Sequence, residues 1–148
     1  MIYTLKSSRF HEIEHTADTG LSGEGKTLPD LFASLAFGML QIITKDHNPA
    51  GKRHRQITLR EAAVDDLLIR WLSEINYLFL VKHFLLSSIT DLKITETPGT
   101  FLLRASLYGS DTTAHTDMIE KEIKAVTYHQ LAVVRRENRF TARVIFDI

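Results

Sequence analysis

The chain predicts a single α+β domain, a β-sheet with two long amphipathic helices packed on one side. Three observations predict it. Apolar residues recur at helical spacing in two segments, from Leu28 to Ile43 and from Leu67 to Phe79. Several other segments alternate polar and apolar residues between turn-forming pairs, as half-buried strands do. These segments do not follow a strict strand–helix–strand–helix order, which disfavours a doubly wound parallel sheet. Neither helix nor strands can bury an apolar face alone, so layering them is the economical solution.

Each element has a local reason. Phe10 to His15 reads as a short strand and Gly20 to Lys26 as a second extended piece. Thr27 caps the first helix, with Pro29 in the first turn and Asp30 at the capping-box position. Leu28, Leu31, Phe32, Leu35, Ala36, Met39, Leu40 and Ile43 form its apolar stripe, and Asn48-Pro49-Ala50-Gly51 ends the unit. Arg55 to Arg60 alternates like a strand. Asp65 and Asp66 oppose the dipole at the start of a second helix, whose face is Leu67, Leu68, Trp71, Leu72, Ile75, Leu78 and Phe79. Ile89 to Thr97 and Phe101 to Tyr108 predict two strands around a Pro98-Gly99 turn. Residues 110 to 118 are polar and predict a mobile loop. Glu122 to Val134 and Arg139 to Asp147 predict a final hairpin turning near Glu137-Asn138, with Phe140, Ala142, Val144 and Phe146 on one face.

Composition narrows the function classes. A chain of 148 residues fits one domain, 1–148, with a proper core. Lysine plus arginine equals aspartate plus glutamate at 18 each, against a dedicated non-specific nucleic-acid binder. With no cysteine, disulfides, thiolate zinc sites and thiol catalysis are excluded together, which fits a cytoplasmic setting. The opening MIYTLKSSRF has neither the apolar core nor the cleavage site of a signal peptide. The apolar stretch from Leu78 to Leu86 is interrupted by Lys82 and His83, so no membrane association is expected.

The chemistry concentrates at the two ends. His15-Thr16-Ala17-Asp18-Thr19-Gly20 follows the first strand, and the chain closes on Val144-Ile145-Phe146-Asp147-Ile148. Carboxylates from opposite ends of a small domain can converge, and converging carboxylates bind divalent cations. Asp18 and Asp147 are candidate ligands, a free carboxylate on Ile148 is a third, and His15 is a ligand or an orienter of one. Taken singly, Asp18 also suits a turn and Asp147 a solvated strand end. Lys124, in Lys124-Ala125-Val126-Thr127-Tyr128-His129, would offset carboxylate charge or meet an acidic group of a partner; an exposed edge strand is the plainer reading. The basic run Lys52-Arg53-His54-Arg55 offers phosphate contacts, although a solvated loop is the commoner reading of such a run. Phosphate-binding glycine loops, the dinucleotide fingerprint, the nucleophile elbow and the zinc-protease helix motif are all missing.

Three stretches, FHEIEHTADTGLSGEGKTLPDLF, LLIRWLSEINYLF and KAVTYHQLAV…RVIFDI, together resemble the archease family in order and spacing over nearly the whole chain. The resemblance implies an α+β fold and a non-enzymatic partner of the RtcB-type RNA ligase, which joins RNA ends in tRNA splicing and repair with GTP and a divalent metal. It implies that such a protein promotes guanylylation and repeated turnover of the ligase, or modulates a tRNA methyltransferase in a chaperone-like way. It assigns metal binding to Asp18, Asp147 and the Ile148 carboxylate, and functional roles to Lys124 and His15. Hard oxygen ligands suit calcium, magnesium or manganese. Thr19 departs from the aliphatic residue usual there, and Ile75-Asn76 from a more apolar pair. A small metal-dependent phosphohydrolase, with His15 as acid or base, and a general chaperone are the competing readings.

Overall fold

The structure is a computed structural model that describes residues 1–14, 18–45 and 49–148. Strands β1 (Ile2–Tyr3), β2 (Arg9–Glu14) and β3 (Thr19–Gly25) precede helix α1 (Leu28–Thr44). Then come β4 (Arg53–Glu61), helix α2 (Val64–Leu80), the hairpin β5 (Phe84–Thr97) and β6 (Thr100–Asp111), and the hairpin β7 (Ala125–Arg136) and β8 (Arg139–Asp147). The strands divide into two four-stranded antiparallel sheets, ordered β1-β5-β6-β4 and β2-β3-β8-β7. The α+β class expected from the sequence holds, with two sheets where one was expected.

Helix α1 explains the division. Its stripe is wider than the i, i+3, i+4 pattern indicates: Ala33, Ser34, Phe37, Gly38, Ile42 and Thr44 are buried as well. A helix covered on nearly every side needs more than one layer around it. Its main support is β2–β3, with further contact to β5 and α2. Helix α2 is more one-sided and packs on β7 and on β4–β5. Trp71 of α2 is fully buried, and its indole N–H donates to the Phe32 carbonyl of α1 at 2.9 Å, locking the two helices together.

Local signals are mostly used as the sequence indicates. Thr27 accepts from the Asp30 amide at 3.2 Å as N-cap. Asp30 does not close a capping box: its carboxylate accepts from the Tyr3 hydroxyl at 2.8 Å, tying β1 to the helix start. Gly99, at φ +77° after Pro98, supplies the positive φ that a type II turn demands. Glu137 and Asn138 both have positive φ, as a two-residue hairpin turn of the I′ kind requires.

Residues 110 to 118, expected as a loop, carry regular local structure. Ser110 and Asp111 complete β6, and two short 3-10 turns follow at Thr112–Ala114 and Thr116–Met118. Thr112 is buried, its amide donates to the His83 carbonyl at 2.9 Å, and the Asp111 carboxylate caps Thr113. Polar side chains here serve the backbone locally, which composition alone does not distinguish from solvation. No helix among the described residues is long and apolar enough to cross a membrane.

Candidate functional site

The two ends of the chain meet on neighbouring strands. β3 and β8 pair with Gly20 opposite Ile145 and Thr19 opposite Phe146. Leu21, Val144 and Phe146 point into the core and are fully buried. Gly20 and Ile145 therefore lie on the outer face of the sheet. Asp18 directly precedes the last paired residue of β3, Thr19, and Asp147 directly follows its partner, Phe146. Asp147 is exposed and Asp18 half-buried. The backbone register thus brings the two ends of the chain onto neighbouring strands.

Gly20 sets the floor of this site. A Cβ at Gly20 would stand 3.0 Å from Ile145 Cδ1 and 3.2 Å from Ile13 Cβ. A side chain here would press on Ile13 and Ile145, so glycine favours their close approach over the sheet.

Lys124 comes in from the other flank. Its amide donates to the Asp147 carbonyl at 2.8 Å, and β7 then continues with Ala125 opposite Asp147. Lys124 is exposed, and Ile148 is half-buried against the core. Two bonds steer the preceding segment. The Glu120 amide donates to the Ile43 carbonyl at 2.8 Å, and Asn76 Nδ2 donates to the Ile123 carbonyl at 2.8 Å. Ile123 is buried, so the step before Lys124 is anchored to α2 by both packing and a hydrogen bond.

Beyond Thr127 the β7–β8 ladder is interrupted, and pairing resumes only at Ala132 opposite Arg143. Gln130 takes a positive φ of 57° within this bulge. The Thr127 hydroxyl donates to the Ile145 carbonyl at 2.8 Å, holding the strand where the bulge departs. Tyr128 is swung toward α2, and its hydroxyl donates to Asp66 at 2.8 Å. That bond, with the negative charge beside it, raises the Tyr128 pKa above its ordinary value. Tyr128 therefore acts as a strut between β7 and the start of α2.

His15 lies outside the described residues. Asp18, Asp147, Ile148 and Lys124 gather at one end of the second sheet. Among the described residues no three or more histidine, cysteine, aspartate or glutamate side chains form a metal-holding group. The basic run is dispersed in β4. The Arg53 guanidinium donates to the His83 and Lys82 carbonyls and pairs with Asp111 at 3.6 Å, while the His54 ring lies 4.8 Å from Tyr108. Arg53 thus closes the β4–β6 edge. Sequence reasoning gave no role to Asn76, although its departure from an apolar pattern marks it.

The pattern of the Archease protein family (MTH1598/TM1083) matches residues 10–148. The archease of Methanosarcina acetivorans is 31% identical over 143 residues, covering 97% of this chain and 98% of its own length. That of Pyrococcus furiosus is 28% identical over 141 residues, covering 95% and 99%. The solution structure of Methanobacterium thermoautotrophicum protein 1598 superposes with a TM-score of 0.78 at 24% identity, covering 94% of this chain and 98% of that one. A crystal structure from Thermotoga maritima, described as an archease and possible chaperone, gives a TM-score of 0.56 at 20% identity, covering 92% and 94%.

Proposed function

The chain belongs to the archease family, and from that premise we propose that it is a non-catalytic activator of an RtcB-type RNA ligase, promoting guanylylation and repeated turnover. The observation that supports the reading is the β3–β8 register, which pairs Thr19 with Phe146, the chain neighbours of Asp18 and Asp147, while the Lys124 amide donates to the Asp147 carbonyl at the flank. A protein whose polar groups stand at an exposed sheet end, on a rigid base, is built to present them to another molecule.

The donor set fits a hard divalent cation. Asp18 and Asp147, with the Ile148 carboxylate, would hold calcium, magnesium or manganese, and His15 would support Asp18. Magnesium is commonly held by one or two carboxylates while keeping several waters, so a site that is not a closed protein cage suits it. When bound, the cation supplies charge neutralisation for a triphosphate. The chain's own residues do the positioning. Lys124 offers a cation to an acidic or phosphate group of the partner. The nucleophile and the nucleotide pocket belong to the ligase, in keeping with a sequence that carries no nucleophile–base motif.

The test is label transfer from GTP to the ligase, with and without this protein and a divalent metal. Stimulation by the wild type, lost in Asp18→Ala and in Asp147→Ala with unchanged circular dichroism, supports the reading. Equal stimulation by both variants overturns it.

A further inference from the structure

Next to the acidic end lies a groove of about 330 Å³ between the last turns of α2 and the start of β7. Ser73, Asn76, Tyr77, Leu80 and Val81 form one wall, and Lys124 to Val126 the other. Tyr77, Leu80 and Val81 are 44%, 36% and 53% exposed, an unusual concentration of large apolar side chains at one helix end.

Asn76 lies in this wall and is only 6% exposed. Its Nδ2 donates to the Ile123 carbonyl, which fixes the orientation of the amide, since a flipped amide would set two oxygens against each other. Asn76 Oδ1 is then a buried acceptor with no hydrogen-bond partner among the described residues. An acceptor left so carries an unrecovered desolvation cost, which a donor entering the groove would offset. At the rim, the Lys124 ammonium has no acidic partner among the described residues, and no acid lines the groove.

We propose that this groove is a second docking surface for the protein partner of the acidic end, rather than for RNA; this rests on the activator reading. The occupant is an acidic peptide segment of the ligase. One apolar side chain packs on Tyr77, Leu80 and Val81, a neighbouring N–H donates to Asn76 Oδ1, and a carboxylate meets Lys124. The charge complement singles out an acidic protein segment: a nucleic-acid strand would bring phosphates to Lys124 but no aliphatic group for Leu80 and Val81. The hydrogen bond from the Lys124 amide to the Asp147 carbonyl makes the groove continuous with the acidic end. Affinity and activation are thereby divided: the groove holds the partner and the carboxylates act on it.

Hydrogen exchange of this chain with and without the ligase, paired with binding constants of Val81→Glu and Asp147→Asn, tests the proposal. Val81 is more than half exposed, so the glutamate perturbs the fold little. Expected are slowed exchange across residues 73–81 on adding ligase, a Kd at least tenfold weaker for Val81→Glu, and a Kd within about threefold of wild type for Asp147→Asn with stimulation lost. Protection confined to the acidic end, with Val81→Glu binding as wild type, overturns the groove and leaves the activator reading standing. A wild-type chain that neither binds nor stimulates the ligase overturns both. Binding of Val81→Glu weakened only toward an RNA oligonucleotide, with ligase affinity unchanged, also overturns it.

Discussion

Gly20 and Ile145, each two positions from a candidate carboxylate along its strand, carry no charge. Gly20 lies in close contact with Ile13 and Ile145. Gly20→Val should therefore damage the site without touching a polar group, because the added carbons collide with both isoleucines. Overpacking of this kind costs about 1–3 kcal/mol. The expected outcome is a lower thermal midpoint and weaker stimulation of the ligase; a variant as stable as wild type would show that the outer face has room. Tyr3 gives a second prediction. Burial, then its hydrogen bond to Asp30, then the charge of that carboxylate raise its pKa well above the ordinary phenol value. A raised phenol pKa stabilises the folded state fully below the unfolded pKa of about 10, and this contribution is lost as pH rises toward the folded value. Thermal midpoints followed from neutral pH to about pH 11 should fall more steeply for wild type than for Tyr3→Phe. Parallel curves would mean that the phenol does not report on folding.

Among the elements, those with strong local punctuation were legible. Thr27 and Pro29 marked the start of α1, Pro98-Gly99 the β5–β6 turn, and Glu137-Asn138 the last hairpin. Thr27→Ala should cost about 1 kcal/mol of stability by removing the cap on the Asp30 amide, measurable by urea titration. A change near zero would show that the helix start is held by Tyr3 and Asp30 alone. Less legible was whatever depends on partners distant in sequence. The stripe on α1 reads as one face, but Phe37, Ile42 and Ser34 are also covered, because layers from separate parts of the chain close around it. The polar run 110–118 reads as a loop since its local hydrogen bonds use the same residue types as solvent exposure. The bulge after Thr127 carries no turn signature at all, and its Tyr128 strut depends on Asp66, 62 positions away in sequence.

For the molecule as a whole, the candidate carboxylates could be named from the sequence, but the pairing of β3 with β8 that joins the two chain ends could not. A shift of that register by one residue would turn one strand's side chains to the opposite face. Asn76 shows the complementary failure. A polar residue on an otherwise apolar helical stripe stands out in the sequence, yet its two roles, anchoring Ile123 and leaving an acceptor in a groove, exist only once α2 and the segment before β7 are docked. The molecule combines a rigid, nearly fully covered helix with a sheet end that projects carboxylates and a lysine beside an apolar groove.

The central claim is tested most directly by counting ligations per ligase molecule, with RNA ends in excess and GTP and a divalent metal present. With the wild-type chain the count should rise well above one. With Asp147→Ala, folded to the same thermal midpoint, it should fall back to the value for ligase alone. Multiple turnover sustained equally by wild type and Asp147→Ala, or no effect of the wild-type chain on an active ligase, would contradict the account.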